Sequence, residues 1–389
     1  MDDIKKKISI SPQQIFRISD ENFFKNNIGP FTVYLGIDPT AQGIHLGHLI
    51  PLQLCIDLVL QGCKLIILIG GFTASIGDPT DKLQVRTKLE NKTVIDFSAG
   101  ILKDLKKILE PYNNQVIFVN NNDWLEKFSI RDYIEKLGYI VSIKNKLNLD
   151  TFAKRMNDPK LSITMSEFLY PDLQLLDFIF LNEKYGCNIQ VGGGDQVGNV
   201  FWGVSHLNAL LKTQKVLGIC TPLLVNNGQK VSKTDKIAPF LSQPENLYHF
   251  CLQLSDETAS QLCNLIHINQ NSCPIKTKKN ILRKIFHMYW HNDDVFEQLD
   301  SKIQKSFQIE AKECSQSEIC HVKNTKLSNI LVELKLCQSS SEAKNKILNK
   351  QISIDNKIIE QNFDLKNKIT FKLKFGKTNP IFIKVTGEK

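Results

Sequence analysis

Two kinds of apolar run alternate through the first 225 positions, and their alternation sets the expected architecture. Phe31–Ile37 is short, β-branched and aromatic, and Asp38-Pro39-Thr40 stops it. Lys64–Ile69 is continuously apolar, as expected of a strand buried on both faces of a parallel sheet. Between them Leu46, Leu49, Ile50, Leu54 and Leu58 recur at helical spacing, which predicts a helix over 44–61 that Gly62 ends. Strand, helix, strand in this order is half of a nucleotide-binding α/β sheet, in which ligands sit beyond the carboxyl ends of the strands. Gln115–Val119, a short run at 188–191 and Leu217–Leu224 read as further strands, and a helix is predicted over 197–211. The rest of 90–170 reads as helical. Residues 240–320 give helices over 244–254, 255–266, 277–287 and 293–308, and the loose polar stretch 310–324 reads as a linker. Beyond it two short helical patterns precede basic β-like segments at 352–356 and 369–375.

Composition narrows this picture. A chain of 389 residues holds two or three domains, and 42% hydrophobic with 23% charged residues argues against disorder. The net charge of +9 suggests an anionic partner without establishing one. It is uneven: residues 325–389 hold 13 Lys, no Arg and 6 acids, so +7 of the +9 lies there. The start is polar, with Asp2 and Asp3 arguing against a transit peptide, and the longest apolar run, near 65–71, is too short to cross a bilayer. These features predict a cytoplasmic protein with no membrane contact. The 10 cysteines form no Cys-x-x-Cys pair, and Cys314, Cys320 and His321 lack zinc-site spacing, so free thiols and no protein-bound metal are expected.

Candidate chemistry falls at the strand ends. His45-Leu46-Gly47-His48 lies in the first turn of the predicted helix, where backbone N–H groups and the dipole attract phosphate. Two histidines three apart share a face. They read either as capping or core residues or as donors to one anion, and the glycine between them and the strand-to-helix junction favour the anion. Gly70-Gly71 through Asp81-Lys82 is not a P-loop, because no Gly-Lys-Ser/Thr follows at the required spacing. On its glycines alone it reads as a flexible loop. Tyr170, Gln174 and Asp177, spaced four and three, project from one helix face flanked by Leu173, Leu176, Phe178 and Ile179. That face is either an exposed polar stripe or a polar patch that something must satisfy. Gly192-Gly-Gly-Asp195 couples close backbone approach to an acid of the kind that binds ribose hydroxyls. Lys230-Val-Ser-Lys-Thr234 alone reads as a surface loop.

Taken together these segments resemble a known family. Tyr34-Leu-Gly-Ile-Asp-Pro-Thr40 followed by His45-Leu-Gly-His48 is similar to the HIGH motif of class I aminoacyl-tRNA synthetases, in the extended form of bacterial-type tyrosyl-tRNA synthetases, with Leu46 replacing the usual Ile. Lys230–Thr234 resembles the KMSKS loop of that class, and Tyr170-x-x-x-Gln-x-x-Asp177 the tyrosine-site helix. Val197 stands where many relatives carry Trp. The resemblance implies an α/β fold: a Rossmann-like parallel-sheet catalytic domain over 1–236 with a helical dimer-interface insertion around 80–165, an all-helical anticodon-stem domain over 237–320, and a small α+β, ribosomal S-four-like RNA-binding domain over 325–389.

It further implies a tyrosine–tRNA ligase. Thr40, His45, His48, Lys82, Arg86, Lys230, Lys233 and Thr234 would work on the phosphates. Tyr34 and Asp177 would take the phenol, Asp78, Tyr170 and Gln174 the amino group, and Gln190 and Gln196 would line the amino acid site. Gly36, Asp38, Gly47, Gly192 and Asp195, with His45, His48 and Lys233, would meet ATP. Mg2+ would arrive with ATP, the partners would be tRNA(Tyr), ATP and L-tyrosine, and the chain would be a homodimer. Lys144, Lys146, Lys154 and Arg155 give the insertion a basic side, read either as a solvated helix face or as a contact for the tRNA acceptor stem. In the last segment Asn349-Lys350-Gln351 stands where relatives commonly have a glycine turn. Two other readings are a tryptophanyl or different class I specificity and a non-catalytic RNA-binding relative. The intact His45, His48, Lys230 and Lys233 argue against the latter.

Overall fold

Six strands build the sheet that carries the site: β1 (Arg17–Ile18), β2 (Thr32–Ile37), β3 (Lys64–Ile69), β4 (Val116–Asn120), β5 (Ile189–Gly193) and β6 (Leu217–Thr221), in the order β1-β6-β5-β2-β3-β4. In this computed structural model the described residues are 8–80, 89–158, 160–211, 215–226, 228–231, 238–271, 273–304, 320–322, 324–355, 357–362, 364–365, 370–375 and 381–385. Strands β2 to β6 run parallel to their neighbours, and the short β1 closes one edge antiparallel to β6. The chain steps outward from β2 to β3 and β4 on one side and from β5 to β6 on the other. The order therefore reverses between β2 and β5, which is where an open α/β sheet offers a ligand crevice. Tyr34 and Gln190 are paired in register across that junction, so their side chains leave the same face of the sheet.

Helix α1 (Leu46–Leu60) leaves β2 and buries Leu46, Leu49, Leu54 and Leu58, the residues whose spacing predicts it. After β3 comes a short helix, α2 (Gly71–Ile76), where the glycines read as a flexible loop. The glycines are there for close approach. A Cβ on Gly70 would lie 1.9 Å from Asp38 Oδ1 and one on Gly71 2.6 Å from Asn120 Oδ1. The Asn121 side chain accepts from the Phe72 N–H at 2.9 Å and so satisfies a donor in the first turn of α2.

Helices α3 (Asn91–Ile108), α4 (Met165–Tyr185) and α5 (Val197–Leu210) follow. Leu175, Phe178 and Ile179 of α4 and Val200 and Val204 of α5 pack with Tyr34 and Ile66 in one apolar core, which puts these helices on the Tyr34 face of the sheet. Helix α4 starts with a Thr164–Glu167 capping box and ends at Gly186, whose φ of 64° is the left-handed turn that glycine accepts without strain. The insertion between β4 and α4 is mostly short helices, and its basic side is only partly real. Lys146 is 1% exposed and pairs with Asp172, and Arg155 is 1% exposed and pairs with Glu167. Each cation is held by a carboxylate on α4, which leaves Lys144 and Lys154 as exposed members of the set.

Helices α6 (Pro244–Leu252), α7 (Asp256–Leu265) and α8 (Pro274–Trp290) come next, and residues up to 296 belong to the same compact unit as the sheet. Residues 297–389 form a second unit. Two helices, Leu327–Glu333 and Ser340–Leu348, share its core with a five-stranded sheet. The linker reading of 310–324 is corrected at its end, because Cys320–Val322 pairs parallel with Ile381–Val385 as an edge strand of that sheet. Lys350 takes φ 58°, the left-handed conformation for which the glycine turn of relatives is suited. No described helix is long and apolar enough to cross a membrane.

Candidate active site

The carboxyl ends of β2 and β5, the first turn of α1 and one face of α4 enclose a cavity of about 960 Å3. Its apolar-flanked end holds Tyr34, Gln190 and Asp177. Tyr34 and Gln190 are 1% and 2% exposed, and the Tyr34 hydroxyl and the Gln190 Oε1 make no hydrogen bond within the described chain. Burying such a group unpaired costs about 1–3 kcal/mol, so two side by side in a cavity wall mark a surface built for a polar ligand atom.

Asp177 beside them is fixed on both oxygens: Trp124 Nε1 donates to Oδ1 at 2.8 Å and Asn121 Nδ2 to Oδ2 at 3.1 Å. Burial pushes its carboxyl up to about 7, against the pull of those two donors and with a smaller push from Asp38. Burial, reinforced by the Asp177 charge, also holds the Tyr34 phenol well above its ordinary range, so it stays protonated.

The middle of the cavity is acidic. Asp38 accepts from Thr73 Oγ1 at 2.7 Å and from the Tyr170 hydroxyl at 2.8 Å. The Tyr170 phenol is pushed far up, mainly by burial and then by the Asp38 charge. Asp78 accepts from Gln196 Nε2 at 2.5 Å, from the Thr80 backbone N–H at 2.9 Å and from Asn199 Nδ2 at 3.5 Å. Gln174 lines the same wall, one helical turn from both Tyr170 and Asp177.

Two imidazoles and a lysine gather at the α1 end. His45 is the N-cap of α1, and its Nδ1 accepts from the Gly47 N–H at 3.1 Å, while His48 Nδ1 accepts from the His45 N–H at 3.3 Å. The two rings stack with centroids 3.8 Å apart. Because both Nδ1 atoms accept from backbone N–H groups, the proton of each ring in its neutral form sits on Nε2. Of the two readings offered by the sequence, the capping role is the one these contacts display, and the cap fixes where the two rings lie. A Cβ on Gly47 would lie 2.8 Å from the Val231 carbonyl oxygen. The glycine thus seats the Lys230-Val231 segment against the first turn of α1. Lys230 Nζ reaches Asp195 Oδ2 at 2.8 Å.

Sixteen of the expected site residues fall among the described ones: Tyr34, Gly36, Asp38, Thr40, His45, Gly47, His48, Asp78, Tyr170, Gln174, Asp177, Gln190, Gly192, Asp195, Gln196 and Lys230, and all of them line this one cavity. Lys82, Arg86, Lys233 and Thr234 lie outside the described residues. Sequence reading missed Asn121, Trp124, Thr73 and Asn199, the side chains that hold Asp177, Asp38 and Asp78. The signal for the first two was present in Asn120-Asn121-Asn122-Asp123-Trp124, a polar run directly after a strand's carboxyl end.

Comparison with known proteins gives the family. The family described as tRNA synthetases class I (W and Y) matches residues 25–330, and the chain belongs to that family. Relatives within it are tyrosine–tRNA ligases. The one from Buchnera aphidicola subsp. Schizaphis graminum is 31% identical, over 95% of this chain and 96% of its own, and the one from Mycoplasma capricolum subsp. capricolum is 32% identical, over 84% of each. Among solved structures, a C-terminally truncated Aspergillus nidulans mitochondrial tyrosyl-tRNA synthetase superposes with a TM-score of 0.61 at 25% identity, covering 71% of this chain and 85% of that one.

Proposed function

We propose that this chain is a tyrosine–tRNA ligase: it activates L-tyrosine with ATP to tyrosyl-adenylate and pyrophosphate, then transfers tyrosine to the 3′ end of its tRNA. The observation that carries the specificity is the pair of unpartnered buried oxygens, on Tyr34 and Gln190, beside the fixed carboxyl of Asp177. A phenolic hydroxyl is both donor and acceptor. It can give its proton to Asp177 and take one from Tyr34, which a benzyl side chain cannot do.

In the first step a tyrosine carboxylate oxygen attacks the α-phosphorus. The bond from that phosphorus to the bridging oxygen breaks, and the electron pair leaves with pyrophosphate. The carboxylate is already nucleophilic, so the protein's part is to position the reactants and neutralise charge as it develops. We assign this to Thr40, His45, His48 and Lys230, with Lys82, Arg86, Lys233 and Thr234 completing the set. Asp78, Tyr170 and Gln174 hold the ammonium, Gln196 lines the amino acid site, and Gly36, Asp38, Gly47, Gly192 and Asp195 accept the nucleotide. What supports these roles is the single cavity shared by every described member. Mg2+ travels on the ATP phosphates, which needs no more than one or two carboxylates from the protein. Among the described residues no group of three or more His, Cys, Asp or Glu is disposed to hold a metal. In the second step a ribose hydroxyl of the tRNA attacks the adenylate carbonyl carbon, loses its proton, and AMP departs.

The proposal extends to the assembly. The insertion exposes Ile130 (80%), Tyr139 (85%) and Ile143 (65%), and α4 exposes its first residue, Met165 (70%), which supports a homodimer contact on the insertion. Residues 237–320 would serve the anticodon stem and the lysine-rich 325–389 would bind RNA as an S-four-like domain, in the cytoplasm. Tyrosine-dependent ATP–pyrophosphate exchange, run with each of the twenty amino acids, tests the central reading. Exchange driven by tyrosine alone is expected. Exchange driven by tryptophan, or by none, overturns it.

A further inference from the structure

Behind the cavity, and lining none of it, is a buried carboxylate that the reaction above does not use. Asp104 lies on α3 and is 4% exposed. Its Oδ2 accepts from the Ile44 backbone N–H at 2.9 Å and its Oδ1 from the Tyr289 hydroxyl of α8 at 2.6 Å. A Cβ on Gly43 would lie 2.6 Å from Asp104 Oδ2, and one on Gly100 would lie 2.0 Å from the Gln42 carbonyl oxygen. Two glycines, one on each partner, therefore press α3 onto the loop 42–44. On its other side that loop meets the segment that follows Lys230–Thr234. The Leu241 N–H donates to the Ile44 carbonyl at 2.8 Å, and His45 bridges Phe240 antiparallel. Lys107 Nζ sits over the Tyr289 ring, 4.4 Å from its centroid, and fixes the ring in place.

We propose that Asp104, with Tyr289, is a positioning residue for phosphate chemistry. It holds the loop that delivers His45 and, through the Ile44 backbone that pairs with Leu241, the segment that leads out of the lysine loop, so that both phosphate-handling turns are referred to one buried carboxylate. The residue next to Ile44 is His45 itself, so a shift of this loop moves the N-cap and both imidazoles. The tyrosine end of the cavity is built from β2, β5 and α4 and does not depend on Asp104. Loss of the carboxylate should therefore slow activation and spare amino acid binding. Misplacing a reacting group by about 1 Å can cost on the order of a hundredfold in rate.

This inference rests on the ligase reading, and the experiment separates the two. Tyrosine-dependent ATP–pyrophosphate exchange and equilibrium tyrosine binding are measured on the full chain and on Asp104→Asn, Tyr289→Phe and the double variant. In Asp104→Asn the amide NH2 must face a donor, Ile44 N–H or Tyr289 O–H. We expect kcat to fall roughly tenfold to a hundredfold with tyrosine binding unchanged. Tyr289→Phe should give a smaller fall, and the double variant should be no worse than Asp104→Asn, since the two act through one contact. Wild-type kcat in Asp104→Asn, or parallel losses in tyrosine binding and kcat, overturns the proposal. If Asp104→Asn does not fold, Tyr289→Phe decides: an unchanged kcat overturns the proposal. A wild-type chain without tyrosine-dependent exchange removes the ligase reading and, with it, this one.

Discussion

At Asp177 three demands meet in one carboxyl: burial at 3% exposure, two fixed donors, and a place in the wall of a ligand cavity. Its group titrates near 7 in the fold, against an unfolded value near 4. A carboxyl raised in this way keeps its proton in the fold while the unfolded chain has lost its own. Its contribution to stability is therefore full below about pH 4 and is lost as pH rises through about 7. Asp177→Asn carries no such proton. Between pH 4 and pH 8 the stability of this variant should improve relative to wild type by up to roughly 4 kcal/mol, read from urea unfolding at the two pH values. Curves that stay parallel would show that the carboxyl is not raised. The helical spacing of Tyr170, Gln174 and Asp177 made this residue visible in the sequence. Trp124 and Asn121 were not visible as its partners, because nothing local says that the end of β4 lies beside the middle of α4.

Among the elements, α1 shows how a cap becomes a site. Its N-terminal donors are met by the two histidine rings, and Gly47 leaves the gap into which the Val231 carbonyl fits. Gly47→Ala puts a methyl group 2.8 Å from that oxygen, so the turn and the lysine segment must separate. Alanine is otherwise the better helix residue by about 1 kcal/mol. The expected result is a folded variant whose pyrophosphate exchange falls by one to two orders of magnitude with tyrosine affinity retained, as misplacement of phosphate donors would give. A normal exchange rate would mean that the segment does not need this contact. The insertion tests packing in a different way. Lys146→Met leaves Asp172 buried without its cation, although Tyr133 and Trp202 still donate to it. A loss of about 3–5 kcal/mol in unfolding free energy is expected, and a loss near zero would mean that the aspartate protonates at little cost. Strands β2 to β6 and the long helices were legible because period and length are local properties. Helix α2 and the buried lysine were not. A glycine pair looks the same whether it frees a loop or admits a neighbour, and a lysine does not announce its carboxylate.

At the scale of the molecule every described residue of the cavity precedes residue 232, inside the first compact unit, whereas +7 of the net +9 lies in 325–389, inside the second. Activation and RNA binding should therefore be separable. A chain ended after residue 304 should retain tyrosine-dependent pyrophosphate exchange at the full-length rate. Transfer to tRNA should fall, and the salt dependence of tRNA binding should flatten as those lysines are removed. Loss of exchange in a folded truncation would tie the second unit to activation. The parallel-sheet α/β plan was legible in the alternation of runs. The edge strand Cys320–Val322 was not, since three residues beside a polar stretch carry no period to read and gain their place from Ile381–Val385, sixty residues later.

The ion pair between Lys230 and Asp195 has a consequence for the order of events. The side chain assigned to phosphate grips the one assigned to sugar, so a nucleotide entering between them must prise a latch before it can settle. The aromatic slot has no such bolt, since its oxygens already face inward. The free enzyme should accordingly load its amino acid unaided, whereas admission of the triphosphate should be eased by salt that loosens the clasp and hindered by crosslinking it shut.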